Sequence, residues 1–202
     1  MGYMFSLTPF NQDISNWNVK NVTSFSHMFE RCYFNNSIFK VDTRDVSNVS
    51  MHEMFSLFNI EHSNSKLSSN NSEYPFNQDI SNWNVSNVID FRSMFQQSNF
   101  NNSIFKVDTS NVRNVTMEGM FSIHTSDQTC ITLFNQDISN WNVKNVTNFA
   151  TMFGSTNSTT RSQFNNSIFH VDTSEISNVT MKAMFRRSSF NQDINSWNVS
   201  GV

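Results

Sequence analysis

Residues 10–29 read FNQDISNWNVKNVTSFSHMF, and the recurrence of this segment along the chain indicates a repeat fold. Its copies, the type A units, span residues 10–29, 76–95, 134–153 and, cut short, 190–202. A second segment, FNNSIFKVDTRDVSNVSMHEMF, defines the type B units, which span residues 34–55, 100–121 and 164–185. Because one unit of this length cannot bury its apolar face alone, each must stack on its neighbours. We therefore predict that residues 1–202 form a single repeat domain.

The apolar spacing inside a unit predicts a short strand followed by a helical turn. Phe10 and Ile14 fit an extended opening segment, whereas Val22, Phe25 and Met28 recur every three residues and favour a helical or 3₁₀ turn. We predict a solenoid of about seven coils in which the short strands are parallel and stacked.

The aromatic residues that open and close the units, together with the tryptophan of type A, are predicted to form the core. These residues are Phe10, Trp17, Phe29, Phe34, Phe55, Phe76, Trp83, Phe95, Phe100, Phe121, Phe134, Trp141, Phe153, Phe164, Phe185, Phe190 and Trp197.

The run FNQDIS, a tryptophan, an Asn-Val-Ser-Asn-Val segment and a closing Met-Phe resemble the BspA-like leucine-rich-repeat surface proteins. The resemblance covers nearly the whole chain and implies a leucine-rich-repeat-like solenoid, a cell-surface or secreted location, and adhesion or protein binding without catalysis. The chain departs from the family pattern in two ways. Asn18 and its equivalents stand where the family commonly has Asp, and type B has Lys40-Val41-Asp42 in place of the tryptophan segment.

The composition supports a packed domain, with 21 Phe and 11 Met to supply core volume. The alternative is a disordered low-complexity chain, because only 37% of the residues are hydrophobic and Asn-rich segments often fail to fold. The regular placement of Phe favours the folded chain.

Charge and motifs exclude several classes of function. The net charge is −3 without a run of Lys or Arg, so we expect no nucleic-acid partner. No apolar stretch approaches the roughly 20 residues of a transmembrane helix, and the N-terminus lacks the pattern of a secretory signal. The five histidines (27, 52, 62, 124 and 170) show no spacing that suits metal ligands or a nucleophile. We therefore expect no enzyme activity, no cofactor and no metal site.

The repeated polar residues allow two interpretations. Asp13 in type A and Asp42 in type B recur in rows that could hold calcium, but hydrogen bonding within turns is the commoner use of Asp. The asparagine after each opening Phe, beginning with Asn11, is predicted to form a ladder in which amides satisfy one another. Cys32 and Cys130 lie several coils apart and are predicted to be free thiols.

Three long insertions follow Met-Phe at residues 56–75, 122–133 and 154–163. They begin at the same point of the unit, so we expect them to emerge along one edge, where they serve recognition or vary freely. The predicted function is a non-enzymatic scaffold that binds a protein or glycan. The alternative is a structural element that associates end to end, because neither Met4-Phe5 nor the short unit 190–202 forms a polar cap.

Overall fold

The computed structural model describes residues 1–57, 76–124, 132–156 and 160–202. Within these residues the strands form one parallel sheet whose order, β1-β2-β3-β4, follows the chain. The strands are β1 (Val49–Ser50), β2 (Val88–Asp90), β3 (Val115–Thr116) and β4 (Val146–Asn148). Single parallel bridges extend this arrangement to the units on either side, from Ser24 to Ser50 and from Asn148 to Thr180. Consecutive units therefore lie side by side.

The strands lie in the Asn-Val segment before each Met-Phe and not in the opening segment, where we predicted them. The reason is visible where the opening segments meet: the backbone N–H of Asn35 donates to Oδ1 of Asn11 at 2.9 Å. A side-chain oxygen thus takes the place that a backbone carbonyl holds in a sheet. The opening segments align from unit to unit without forming a backbone ladder.

The predicted helical turns are wrong, because the described part of the chain contains no helix. Overlapping β-turns replace them, as in residues 25–32, where the N–H of Met28 donates to the carbonyl of Phe25 at 3.0 Å. The intervening amides point to the next unit, and His27 donates to the carbonyl of His52 at 2.8 Å. Since every second amide is used between units, the i to i−4 bonds of an α-helix do not form. We call residues 25–32 and their equivalents the turn segments.

Aromatic rings form three columns through the stacked units. In the first, opening Phe rings follow one another at 5.8 to 6.3 Å between centroids. In the second, closing Phe rings follow at 5.5 to 5.8 Å. The third alternates the tryptophan of type A with a type B phenylalanine, as where Phe39 lies 6.2 Å from Trp83. The core is therefore continuous from unit to unit.

Most of the predicted core residues are buried, and five at the two ends are only partly buried: Phe10, Trp17, Phe185, Phe190 and Trp197. The prediction omitted two further sets of fully buried rings, which are represented by Phe25 and Phe39. Phe39 belongs to the SIF segment and occupies the place in the third column that Trp17 holds in type A. No helix in the described ranges is long and apolar enough to cross a bilayer.

Candidate functional site

An asparagine ladder runs along the opening edge of the units. Oδ1 of each ladder residue except the last accepts the backbone N–H of the equivalent asparagine in the next unit, at 2.7 to 3.0 Å. The residue after each ladder asparagine donates its side-chain amide to the backbone carbonyl of the ladder asparagine in the preceding unit. The predicted ladder therefore exists, but its asparagines are joined to one another from side chain to backbone. Bonds between side-chain amides are made by the type A glutamines, as where Nε2 of Gln78 donates to Oδ1 of Asn35 at 2.9 Å. Its residues are Asn11, Asn35, Asn77, Asn101, Asn135, Asn165 and Asn191.

The repeated aspartates form turns. Oδ1 of Asp13, Asp79 and Asp137 accepts the backbone N–H two residues further on at 2.8 Å in each case. This backbone hydrogen bond lowers the pKa of all three carboxyl groups. Asp108 and Asp172 make the same bond in type B units. The turn interpretation of these rows thus accounts for their recurrence.

A groove of about 490 Å³ crosses three consecutive units. Exposed and partly exposed polar side chains at equivalent positions line it: Lys40 and Asp42, then Asn84, then Lys106 and Asp108. A parallel bridge joins Asp42 to Asn84, which fixes the spacing between the first two units. The rim of the groove therefore presents cations, carboxylates and an amide in a repeated order.

The groove is lined in part by the third aromatic column, whose rings are packed against one another. Trp83 lines the groove, is only 4% exposed, and stacks between Phe39 and Phe105 at 6.2 Å on each side. The ring faces are thus occupied by neighbouring rings. The groove offers polar contacts on its rim, and Trp83 serves mainly to hold the rim residues in place.

The turn segments bring together two histidines whose positions along the chain predicted no shared site. The rings of His27 and His52 lie 4.8 Å apart between centroids. Nδ1 of His27 lies 3.1 Å from Oε2 of Glu30 and 3.5 Å from Oε2 of Glu53, and Nε2 of His52 lies 3.1 Å from Oε1 of Glu53. The hydrogen bond with His52 is the main cause that lowers the pKa of Glu53. His27 lies one residue before Met28-Phe29 and His52 lies two residues before Met54-Phe55, so each is close to the end of its unit, and this common region was the missed signal.

The turn segments of the following units lie beside this cluster. A cavity of about 190 Å³ is lined there by His52, Arg92, Glu118 and His124, among others. Burial alone raises the pKa of Asp90, but its bonds from Arg92, one of them 2.7 Å long, outweigh burial and lower it. Burial also lowers the pKa of His124. Ionisable groups, of which Asp90, His52 and His124 are partly buried and Arg92 and Glu118 exposed, are therefore concentrated along this face.

The remaining histidines lie apart from the cluster or outside the described residues. His170 is exposed, and its Nδ1 lies 3.4 Å from Oγ of Ser196. His62 falls outside the described ranges.

The flanks of the predicted loops are part of the packed structure. Ser56 and Leu57 are buried, and Leu57 donates its amide to the carbonyl of Gln96 at 3.0 Å. Ser122 and Ile123 are buried in the same way at the start of the second loop. The central parts of the three predicted loops, residues 58–75, 125–131 and 157–159, lie outside the described residues.

The cysteine prediction is tested at one position. Cys32 is a free thiol, and it is buried, with Sγ donating to the carbonyl of Phe10 at 3.4 Å. Burial raises the pKa of this thiol. Cys130 falls outside the described residues.

Comparison with known families identifies a family for the chain but no activity. A family model described as "Mycoplasma protein of unknown function, DUF285" matches residues 1–69, 62–162 and 158–202. No curated protein and no solved structure matches the chain at a significant level. The three matched segments cover the repeats from the first unit to the last. The chain therefore belongs to the DUF285 family of repeat-containing proteins of unknown function.

Proposed function

We propose that the chain is a non-enzymatic binding scaffold, a leucine-rich-repeat-like solenoid that holds a protein or glycan partner in the groove lined by residues 40–44, 82–86 and 106–108. The proposal rests on the groove, which has a volume of about 490 Å³ and is lined by residues of three units. The BspA-like resemblance supports the same role, since it implies adhesion or protein binding at a surface.

The chemistry of the rim suits an extended polar partner. Lys40 and Lys106 are equivalent residues two units apart, and so are Asp42 and Asp108. Hydrogen-bonding and charged groups therefore recur at the spacing of the repeat, and the rigid column beneath keeps that spacing fixed. A partner with its own repeated polar groups, such as a glycan or an extended peptide, gains several contacts while the scaffold loses little conformational freedom.

The test is a binding screen in which groove residues are altered. The chain is applied to a glycan array and to a displayed peptide library, and each ligand found is titrated against Lys106→Glu and Lys182→Glu. Both lysines are exposed, but Lys182 lies on a turn segment away from the groove, so it is a matched charge-reversal control. We expect Lys106→Glu to abolish binding and Lys182→Glu to preserve it. Equal binding by both variants would refute the groove as the site.

A second function, end-to-end association, is supported by the end faces of this chain. Tyr3 and Leu7 at one end are 62% and 68% exposed, and Val199 and Val202 at the other are 47% and 59% exposed. These are apolar surfaces of the kind that a further unit of the same repeat would cover.

The backbone at the two faces is complementary. The carbonyls of Gly2 and Met4 accept no backbone hydrogen bond within the described residues, and the amides of Ala183 and Phe185 donate none. Inside the stack, equivalent carbonyls and amides bond to each other. A second copy placed head to tail would satisfy both sets.

Light scattering at increasing concentration tests this second function. Growth in mass that is abolished by Leu7→Glu supports association through the end faces. A constant monomer mass at all concentrations contradicts it.

A further inference from the structure

We propose that His27, His52 and Glu53 form a binding site for a divalent transition-metal ion of the Zn²⁺ class. Each residue supplies one ligand atom: Nδ1 of His27, Nε2 of His52 and a carboxylate oxygen of Glu53. This site lies on the turn segments, away from the groove, and the proposal does not depend on the groove's function.

Two distances from the histidines to the Glu53 carboxylate, one to each of its oxygens, are close to those between ligand atoms of a tetrahedral ion. Zn²⁺ binds nitrogen and oxygen at about 2.0 to 2.2 Å, so neighbouring ligand atoms in a tetrahedral site lie about 3.3 to 3.5 Å apart. Here His27 Nδ1 and Glu53 Oε2 are 3.5 Å apart, and His52 Nε2 and Glu53 Oε1 are 3.1 Å apart. All three ligand atoms lie within 4.8 Å of one another, so a small side-chain rotation brings them around one ion.

The backbone that carries the ligands is held in place before any ion binds. The N–H of His27 donates to the carbonyl of His52 at 2.8 Å, which ties the two histidines together directly. Glu53 is anchored in the same way to the carbonyl of Arg92 at 2.9 Å. The ring of Tyr3 stacks on His27 with centroids 4.2 Å apart, which limits rotation of that imidazole. Such support around the ligands lowers the cost of assembling a metal site.

The donor set selects the class of ion. Two imidazole nitrogens and one carboxylate suit Zn²⁺ and its neighbours in the first transition row, whereas Ca²⁺ prefers six to eight oxygen ligands. The side chains of His27, His52 and Glu53 are 15%, 27% and 19% exposed, so an ion can enter from solvent. Glu30 competes for His27 in the metal-free protein, because its Oε2 lies 3.1 Å from the same Nδ1.

Calorimetric titration with ZnCl₂ after chelator treatment tests the site. The variants are His52→Ala and Glu53→Gln, and the matched control is His170→Ala, which removes an exposed histidine from another unit. We expect the unaltered chain to bind Zn²⁺ with a stoichiometry that falls by one ion per chain in either site variant. The affinity of this site for Zn²⁺ should fall by at least about tenfold, which is the lower limit for replacing a residue that only supports a metal ligand. The control should bind as the unaltered chain does.

Substitution of Co²⁺ for Zn²⁺ provides a second readout. A tetrahedral site with nitrogen and oxygen ligands gives intense visible absorption, and this absorption should disappear in Glu53→Gln. Glu53→Gln keeps the shape of the side chain. If circular dichroism shows that His52→Ala does not fold, the loss of metal binding in Glu53→Gln alone tests the site. No Zn²⁺ binding by the unaltered chain, or equal losses in Glu53→Gln and His170→Ala, would overturn the proposal.

Discussion

Replacing Phe100 with Ala tests the energetic role of the aromatic columns. Phe100 opens the central type B unit and is fully buried. Its ring lies 4.5 Å from that of Phe95, 5.9 Å from Phe76 and 6.3 Å from Phe134, measured between centroids. The substitution therefore removes one ring from the first column and its contact with the second, and neighbouring units on both sides prevent the gap from closing.

The expected loss follows from these contacts. Replacing a buried Phe with Ala typically costs about 3 to 5 kcal/mol, and stacked ring pairs add roughly 0.5 to 1.5 kcal/mol beyond their buried area. We expect Phe100→Ala to lower the free energy of unfolding by about 4 kcal/mol. Phe190→Ala is the matched control, since Phe190 opens the last unit, is only partly buried and stacks on one side of the column. Its loss should be about half as large because solvent reaches the gap.

Urea denaturation followed by circular dichroism measures both values, with the slope of each transition checked for a change in cooperativity. A loss below about 1 kcal/mol for Phe100→Ala would contradict the assignment of this ring to the core. Equal losses for the two variants would contradict the argument from stacking on both sides.

Variants at three further places test the ladder, the turn segments and the first loop. Asn101→Ala should lower the free energy of unfolding by about 1 kcal/mol, because the next unit's backbone N–H loses its acceptor, whereas Asn101→Asp should be nearly neutral in urea denaturation. Thr151→Gly should raise the free energy of unfolding by about 0.5 to 1 kcal/mol, because Thr151 has a φ of 53°, in the left-handed region that glycine adopts without strain. The equivalent residue of another unit is Gly119, with a φ of 61°, and a lower melting temperature of the variant would refute this. Replacing residues 58–75 with Ser-Ser, the dipeptide at 188–189 of the short connection, should leave the melting temperature unchanged or higher, and a collapsed circular dichroism signal would contradict this.

The repeat pattern predicted the units and much of the core, but it predicted the secondary structure inside a unit poorly. The spacing of Phe25 and Met28 is compatible with a helix and also with overlapping turns. The turns require a left-handed backbone at every unit, and the chain places His27, Ser93 and Thr151 there instead of the usual glycine. Hydrogen bonds between units stabilise this conformation. The left-handed backbone of the turn segments therefore could not be predicted from local residue propensities.

The candidate sites were difficult to predict for a related reason. His27 and His52 are far apart in sequence and meet only because turn segments of adjacent units are aligned. Asp42, Asn84 and Lys106 likewise appear as ordinary surface residues until the units are stacked. Both sites are formed by residues of different units, whereas the spacing of residues along the chain predicts only contacts within a unit.

Alternate amides of each turn segment join one unit to the next, and this network sets the spacing of the groove and of the histidine cluster. Scalar couplings measured by NMR across hydrogen bonds test it directly in the turn segment that contains Phe95. We predict a coupling between the amide nitrogen of Phe95 and the carbonyl carbon of Met120, and another between Gln97 and Ser122, whose N to O distances are both 2.9 Å. A coupling from Phe95 to the carbonyl of Phe91 instead would indicate a helical turn and would contradict the account.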